Sequence, residues 1–232
     1  NIEVSYQVNQ LCTDHYVKKY LINPTNAYKY INDLRSKKQK DLILNLQNEI
    51  ALTMDEIVEK YGTSRAVVLA LVKNGYLDVI NEVASRIKIR EIPIDKKIRQ
   101  SKDETVVQLL NSLDTANKPI LFIPKDNTQQ IDSIIQIINK YQKKQQNVLI
   151  ITPEILSSYQ IENIIRKKTG LSIAPINSKL SYGEYYDYYN EIKKGNYPVV
   201  VTTPVGALLP YNNIGAIIMI NTDSDNYYND QS

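Results

Sequence analysis

The sequence predicts an α/β protein in which a small helix-rich domain precedes a lobe built on a parallel sheet. Four apolar runs, residues 119–123, 147–151, 198–201 and 214–220, alternate with helix-like stretches. That is the pattern of strands buried on both faces and joined by helical crossovers. Upstream, the helical periodicity of residues 35–93 is interrupted by Gly62-Thr63-Ser64, giving helix, turn, helix. Between these regions lies the basic, apolar-poor stretch Asp95-Lys96-Lys97-Ile98-Arg99-Gln100-Ser101-Lys102, where the domain boundary is expected. The expected divisions are residues 1–34, an N-terminal helical and linker segment; 35–95, the helix-turn-helix domain; and 96–232, the sheet lobe.

Length and composition limit the classes of function. The 232 residues suffice for two domains with their own cores, and 43% apolar with 23% charged residues describes a globular chain. The net charge of +3 permits nucleic-acid binding without requiring it. One cysteine, Cys12, and one histidine, His15, exclude a disulfide framework and a Cys/His zinc site. No apolar run is long enough to cross a bilayer and no signal peptide is visible, so no membrane partner and a cytoplasmic protein are expected. The opening on Asn1 and the abrupt end predict a fragment excised from a longer protein.

Residues 1–34 read as a short strand and a helical pair, with Val8, Leu11, Cys12, Tyr16, Tyr20 and Leu21 forming a rough helical stripe that Pro24 ends. Leu42, Ile43, Leu46 and Ile50 mark the next helix. Thr53 with Glu56 forms a capping box for another, and residues 65–73 form a third with Val67, Val68, Leu71 and Val72 inward. Asn74-Gly75 closes that helix. Strand-like runs at 76–79 and 84–92 complete a winged helix. Its candidate DNA contacts are Arg65 and Lys73 on the recognition helix and the alternating Arg86, Lys88 and Arg90 on the wing, followed by Lys97 and Arg99 in the connector. A solvated strand face is the plainer reading of the wing cations.

In the lobe, the informative loops follow strand ends. A phosphate-binding loop needs glycines, a lysine and a Ser/Thr for magnesium. Here the run at 119–123 leads into Pro124-Lys125-Asp126-Asn127-Thr128-Gln129-Gln130, which has no glycine and carries Asp126 where a triphosphate would be repelled. The strand at 214–220 ends in Asn221-Thr222-Asp223-Ser224, without the paired carboxylates that hold magnesium and polarise water. Thr152-Pro153-Glu154 and Thr202-Thr203-Pro204 are better suited to nucleic-acid backbone contact, with Thr203 the named candidate. The tyrosines of residues 183–194 favour packing over base stacking, because the whole chain is rich in tyrosine, with 18.

Residues 148–160 (VLIITPEILSSYQ), 177–184 (NSKLSYGE), 194–204 (KGNYPVVVTTP) and 212–228 (NNIGAIIMINTDSDNYY) together resemble the PriA family of primosomal replication-restart helicases in order and spacing. Residues 52–78 (LTMDEIVEKYGTSRAVVLALVKNGYLD) are similar to that family's winged helix. The resemblance implies a winged-helix domain followed by the first RecA-like lobe of a helicase, with forked or single-stranded DNA and primosome proteins as partners. It sets the family's Gly-Lys-Thr on Thr128, Gln129 and Gln130, and its Asp-Glu-Glu-His on Asn221, Thr222, Asp223 and Ser224. The family's Thr-Arg-Ser-Ala loop falls on Thr203-Pro204-Val205-Gly206, which keeps Thr203 and loses the arginine. Pro153, Glu154 and Gln160 are retained, as are Leu180, Ser181, Gly183 and Glu184.

These readings converge on a PriA-like DNA-binding protein whose lobe has lost ATP hydrolysis, with no cofactor, catalytic residue or metal expected. Two alternatives stay open. One is an active ATP-dependent 3′-to-5′ helicase that binds ATP and magnesium through unorthodox ligands such as Lys125 and Asp223. The other is a protein-interaction scaffold of the primosome without DNA affinity.

Overall fold

The computed structural model describes residues 12–87 and 100–228. The chain forms two compact units: Asp14–Ser85, and a larger one that takes up the chain on either side of it. The smaller unit therefore includes the second half of the stretch expected to be a separate N-terminal segment.

The smaller unit comprises β1 (Tyr16–Ile22), α1 (Pro24–Tyr30), α2 (Lys37–Leu46), β2 (Leu52–Thr53), α3 (Met54–Tyr61), α4 (Arg65–Lys73) and β3 (Leu77–Val83). Its three strands are antiparallel in the order β2-β1-β3. The expected helical stripe through Tyr16, Tyr20 and Leu21 is instead β1. Its apolar spacing fits either period over so short a run, and aromatic and β-branched residues favour the strand. Tyr16–Ile22 pairs along its whole length with Leu77–Val83, and an ion pair joins Lys19 to Glu82 at 2.6 Å. Among the described residues, the start of β3 pairs with β1, whereas the sequence sets a second strand-like run at 84–92 beside it. Residues 84–87 are irregular, and 88–92 lie outside the described residues.

The helix-turn-helix reading matches the backbone. Thr53 and Glu56 form the reciprocal capping box at the start of α3, which Gly62 ends in the left-handed conformation (φ 58°). Helix α4 spans the residues the sequence predicts. Ile43, Ile57, Val68, Leu71 and Leu77 are fully or almost fully buried in one core with Tyr20. Burying each of these aliphatic side chains contributes about 1.5–3 kcal/mol.

The larger unit contains α5 (Glu104–Thr115), α6 (Asn127–Lys143), β4 (Asn147–Ile151), α7 (Ile155–Thr169), β5 (Ile173–Ile176), α8 (Tyr182–Lys194), β6 (Val199–Thr202) and β7 (Ile214–Met219). All four strands are parallel, in the order β5-β6-β4-β7. This α/β sheet is consistent with the RecA-like lobe expected. Successive residues of β4 enter opposite cores: Val148 and Ile150 pack with α6 and α7, while Leu149 and Ile151 pack with α8. Burial on both faces explains the continuous apolar runs of β4 and β6.

Two strand assignments change. Residues 119–123, read as the first strand, join no ladder: Leu121 and Ile123 are 77% and 79% exposed, and only Phe122 of the run packs on the core. Conversely, β5 was not legible as a strand because it is short and contains Pro175. It lies at the sheet edge, where a missing N–H is tolerated.

Candidate functional site

The loop that leads into α6 satisfies its own polar groups. Asp126 caps the helix by accepting the Gln129 N–H at 2.8 Å, so a side-chain carboxylate already sits on one of the donors that would attract an anion. Gln129 is buried; its Oε1 accepts the Lys125 N–H at 2.8 Å, and its Nε2 donates to both oxygens of Asp103 at 3.0 Å. The Lys125 ammonium pairs with the same Asp103 carboxylate at 3.0 Å. Asp103 also caps α5 through the N–H groups of Thr105 and Val106. The hydrogen bond from Lys125, followed by that from Gln129, holds the Asp103 carboxyl down at about 2. Thr128 is exposed on the first turn of α6, and the Gln130 N–H donates to the Asp126 carbonyl. Gln129 is thus a buried strut between two helix starts.

The turn at the end of β7 is likewise held by its own hydrogen bonds. Asn221 turns the chain with φ 53°, and its carbonyl accepts the Ser224 N–H. Tyr227 lies beneath the turn, its hydroxyl 2.7 Å from the Ile220 carbonyl and 3.0 Å from that of Ile151. Burial pushes this phenol up to about 12. Tyr228 donates to the Thr222 carbonyl at 3.3 Å, and Asn226 donates to Glu154 at 3.0 Å, linking the loops after β4 and β7. Asp223 and Asp225 are exposed. Among the described residues, no three His, Cys, Asp or Glu side chains converge as metal ligands.

Of the proposed DNA contacts, Arg65 and Lys73 belong to the smaller unit and Arg86 and Thr203 to the larger one. Arg65 opens α4 exposed and ion-paired with Asp55; Lys73 is exposed at the other end of the same helix. Between them the outer face carries Leu69, 53% exposed. Arg86 lies three residues beyond β3, in an irregular stretch. Its N–H and guanidinium meet Asp187 at 2.6 and 2.9 Å, and the guanidinium also donates to the Thr13 carbonyl at 2.8 Å. Lys88, Arg90, Lys97 and Arg99 lie outside the described residues. Thr203 is buried, and its N–H donates to the Ile176 carbonyl at 3.2 Å; the exposed residues of that loop are Pro204, Val205 and Leu208.

Sequence reasoning assigned no role to Asp103, which directly follows the basic stretch, or to Tyr227. An N-cap signal was present for the first, since Asp103-Glu104 directly precedes an apolar helix. Nothing in local spacing marks Tyr227, because both of its acceptors are backbone carbonyls at the ends of two different strands.

The architecture is a parallel α/β lobe with its candidate chemistry at the strand ends, joined to an antiparallel helix-turn-helix unit. No family model matches the chain. The chain is 24% identical over 242 residues to the replication restart protein PriA of Bacillus subtilis, an alignment that covers 98% of this chain and 30% of the relative. It is 27% identical over 179 residues to PriA of Rickettsia prowazekii, covering 71% of this chain and 28% of the relative. It is also 25% identical over 191 residues to the UvrABC system protein B of Mycoplasma mycoides, covering 73% and 28%. The resemblance to the PriA family read from the motifs is upheld by these alignments, and the chain spans under a third of the length of these relatives.

Proposed function

We propose that the chain is part of a PriA-like replication-restart protein that binds forked or single-stranded DNA and primosome proteins in the cytoplasm without hydrolysing ATP in this lobe. The observation that carries the reading is the closed network of Asp103, Lys125, Asp126 and Gln129, which spends on itself the cation and helix-start donors that a triphosphate would require. The end of β7 supports it, since Asn221 and Thr222 stand where a magnesium-binding pair is needed. In the smaller unit, α3, the Gly62 turn, α4 and the three-stranded sheet support a winged helix. No helix of the described residues is long and apolar enough to cross a membrane.

Calorimetry with a non-hydrolysable ATP analogue and magnesium tests the nucleotide part. No heat is expected from this chain or from a longer form of the protein; saturable heat in either overturns it. For the DNA part, affinity for a forked duplex should fall steeply between 50 and 200 mM salt, as counterion release requires. A salt-independent or absent interaction overturns that part alone.

A further inference from the structure

The loops at the C-terminal ends of the four parallel strands form a surface that nucleotide chemistry does not account for. Every strand is followed by at least one exposed apolar or aromatic side chain: Leu156 after β4 (65% exposed), Tyr182 after β5 (76%), Val205 and Leu208 after β6 (60% and 97%) and Tyr228 after β7 (75%). Isolated exposed apolar residues are ordinary. Here they recur at four adjacent strand ends, a row about 15 Å across at the usual strand spacing. The loops beneath them are fixed. Thr152 donates its N–H to the Thr202 carbonyl at 2.8 Å, and its hydroxyl lies 3.3 Å from the same atom, closing the sheet between β4 and β6. Tyr227 and Asn226 tie the β7 loop to the end of β4 and its loop, and Gly206 is packed so closely on Thr202 and Ile176 that a Cβ would not fit.

The charge on these loops is opposite to that of the chain. Residues 152–156, 177–184, 203–211 and 221–228 contain Glu154, Glu184, Asp223 and Asp225 against the single cation Lys179, whereas the whole chain is +3. Arg86, which also approaches the Gly183 carbonyl, is neutralised by Asp187. A nucleic-acid backbone gains its affinity from Lys and Arg, and this face would repel it. Apolar side chains with an acidic border match the apolar face and basic flanks of an amphipathic segment.

We propose that the strand-end face is a docking surface for a cationic amphipathic segment of a protein partner. Leu156, Val205 and Leu208 receive its apolar side chains, while Glu154, Asp223 and Asp225 pair with its lysines or arginines. The proposal goes beyond the reading above and stands whether or not the rest of the chain binds DNA.

The test uses the full chain, a fluorescent Leu/Lys amphipathic helical peptide of about five turns, its Leu/Glu counterpart and an oligothymidine, followed by anisotropy. The double variants Leu156→Ser/Leu208→Ser and Asp223→Lys/Asp225→Lys alter only exposed side chains, and circular dichroism checks that their fold is retained. The Leu/Lys peptide should bind, the Leu/Glu peptide should not, and each double variant should weaken the first at least tenfold. Absence of Leu/Lys binding, or binding unchanged in either variant, overturns the proposal. Oligothymidine binding that the leucine variant abolishes also overturns it, by making the face a nucleic-acid site.

Discussion

Replacing Gln129 with alanine should loosen the start of α6 far more than a surface glutamine substitution would. The side chain is 6% exposed and makes one bond to the Lys125 N–H and two to the Asp103 carboxylate. A neutral hydrogen bond contributes about 0.5–1.5 kcal/mol and one to a charged group about 1.5–3, and the two contacts to Asp103 share one amide group, so the expected loss is about 2–4 kcal/mol. With a urea m-value of about 2 kcal/mol per M, the unfolding midpoint of the larger unit falls by about 1–2 M. Urea titration followed by far-UV circular dichroism reads the shift. Hydrogen exchange in the peptides covering α5 and α6 locates it, because both helix starts lose a partner. Gln129→Glu should cost more than Gln129→Ala, since it sets a second carboxylate against Asp103. A midpoint change below about 0.3 M with unaltered exchange in both helices refutes the strut role of Gln129.

Because the carboxyl of Asp103 is held at about 2, below its usual 3.8, its stabilising effect is complete above pH 4 and is lost as pH falls through the folded value. Acid unfolding of Asp103→Asn should therefore lack the part of the wild-type transition between about pH 4 and 2; superimposable acid limbs would contradict this. Gly206→Ala brings a Cβ within 2.2 Å of the Thr202 hydroxyl and 2.6 Å of Ile176, so a loss of about 1–3 kcal/mol is expected on thermal unfolding. Arg86→Met leaves the largely buried Asp187 without its cation and should cost about 1–3 kcal/mol. A change in DNA affinity at unchanged stability would instead return Arg86 to the list of backbone contacts. Arg65→Glu with Lys73→Glu should weaken forked-DNA binding and flatten its salt dependence, with unaltered binding removing α4 from the interface.

Helix boundaries were legible where the signal is local. Thr53 with Glu56, Gly62 and the apolar stripe of α4 are decided within a turn or two of chain, and the structure places them as the sequence suggests. Strand identity was less legible because pairing is a long-range choice. Residues 119–123 have a strand's composition but pair with no strand among the described residues, while β5 contains a proline and is a strand because β6 accepts it in register. The residues of the candidate phosphate loop could be named from sequence, and the absence of glycine was plain there. That Gln129 points inward to Asp103, 26 residues earlier, depends on where α5 packs on α6. The same holds for Arg86, whose partner Asp187 lies 101 residues away.

The ladder between β1 and β3 ends with the Ala84 N–H donating to the His15 carbonyl at 2.7 Å. The chain therefore enters and leaves the smaller unit at neighbouring points, as an inserted module does. Thr13 and Arg86, the residues just outside it, are themselves hydrogen-bonded. The unit can thus be treated as a closed excursion of the chain: joining residue 13 to residue 86 through one or two glycines should yield a foldable lobe, and residues 14–85 should fold when excised. A cut at residue 35, by contrast, removes the central strand and leaves β2 and β3 with nothing between them.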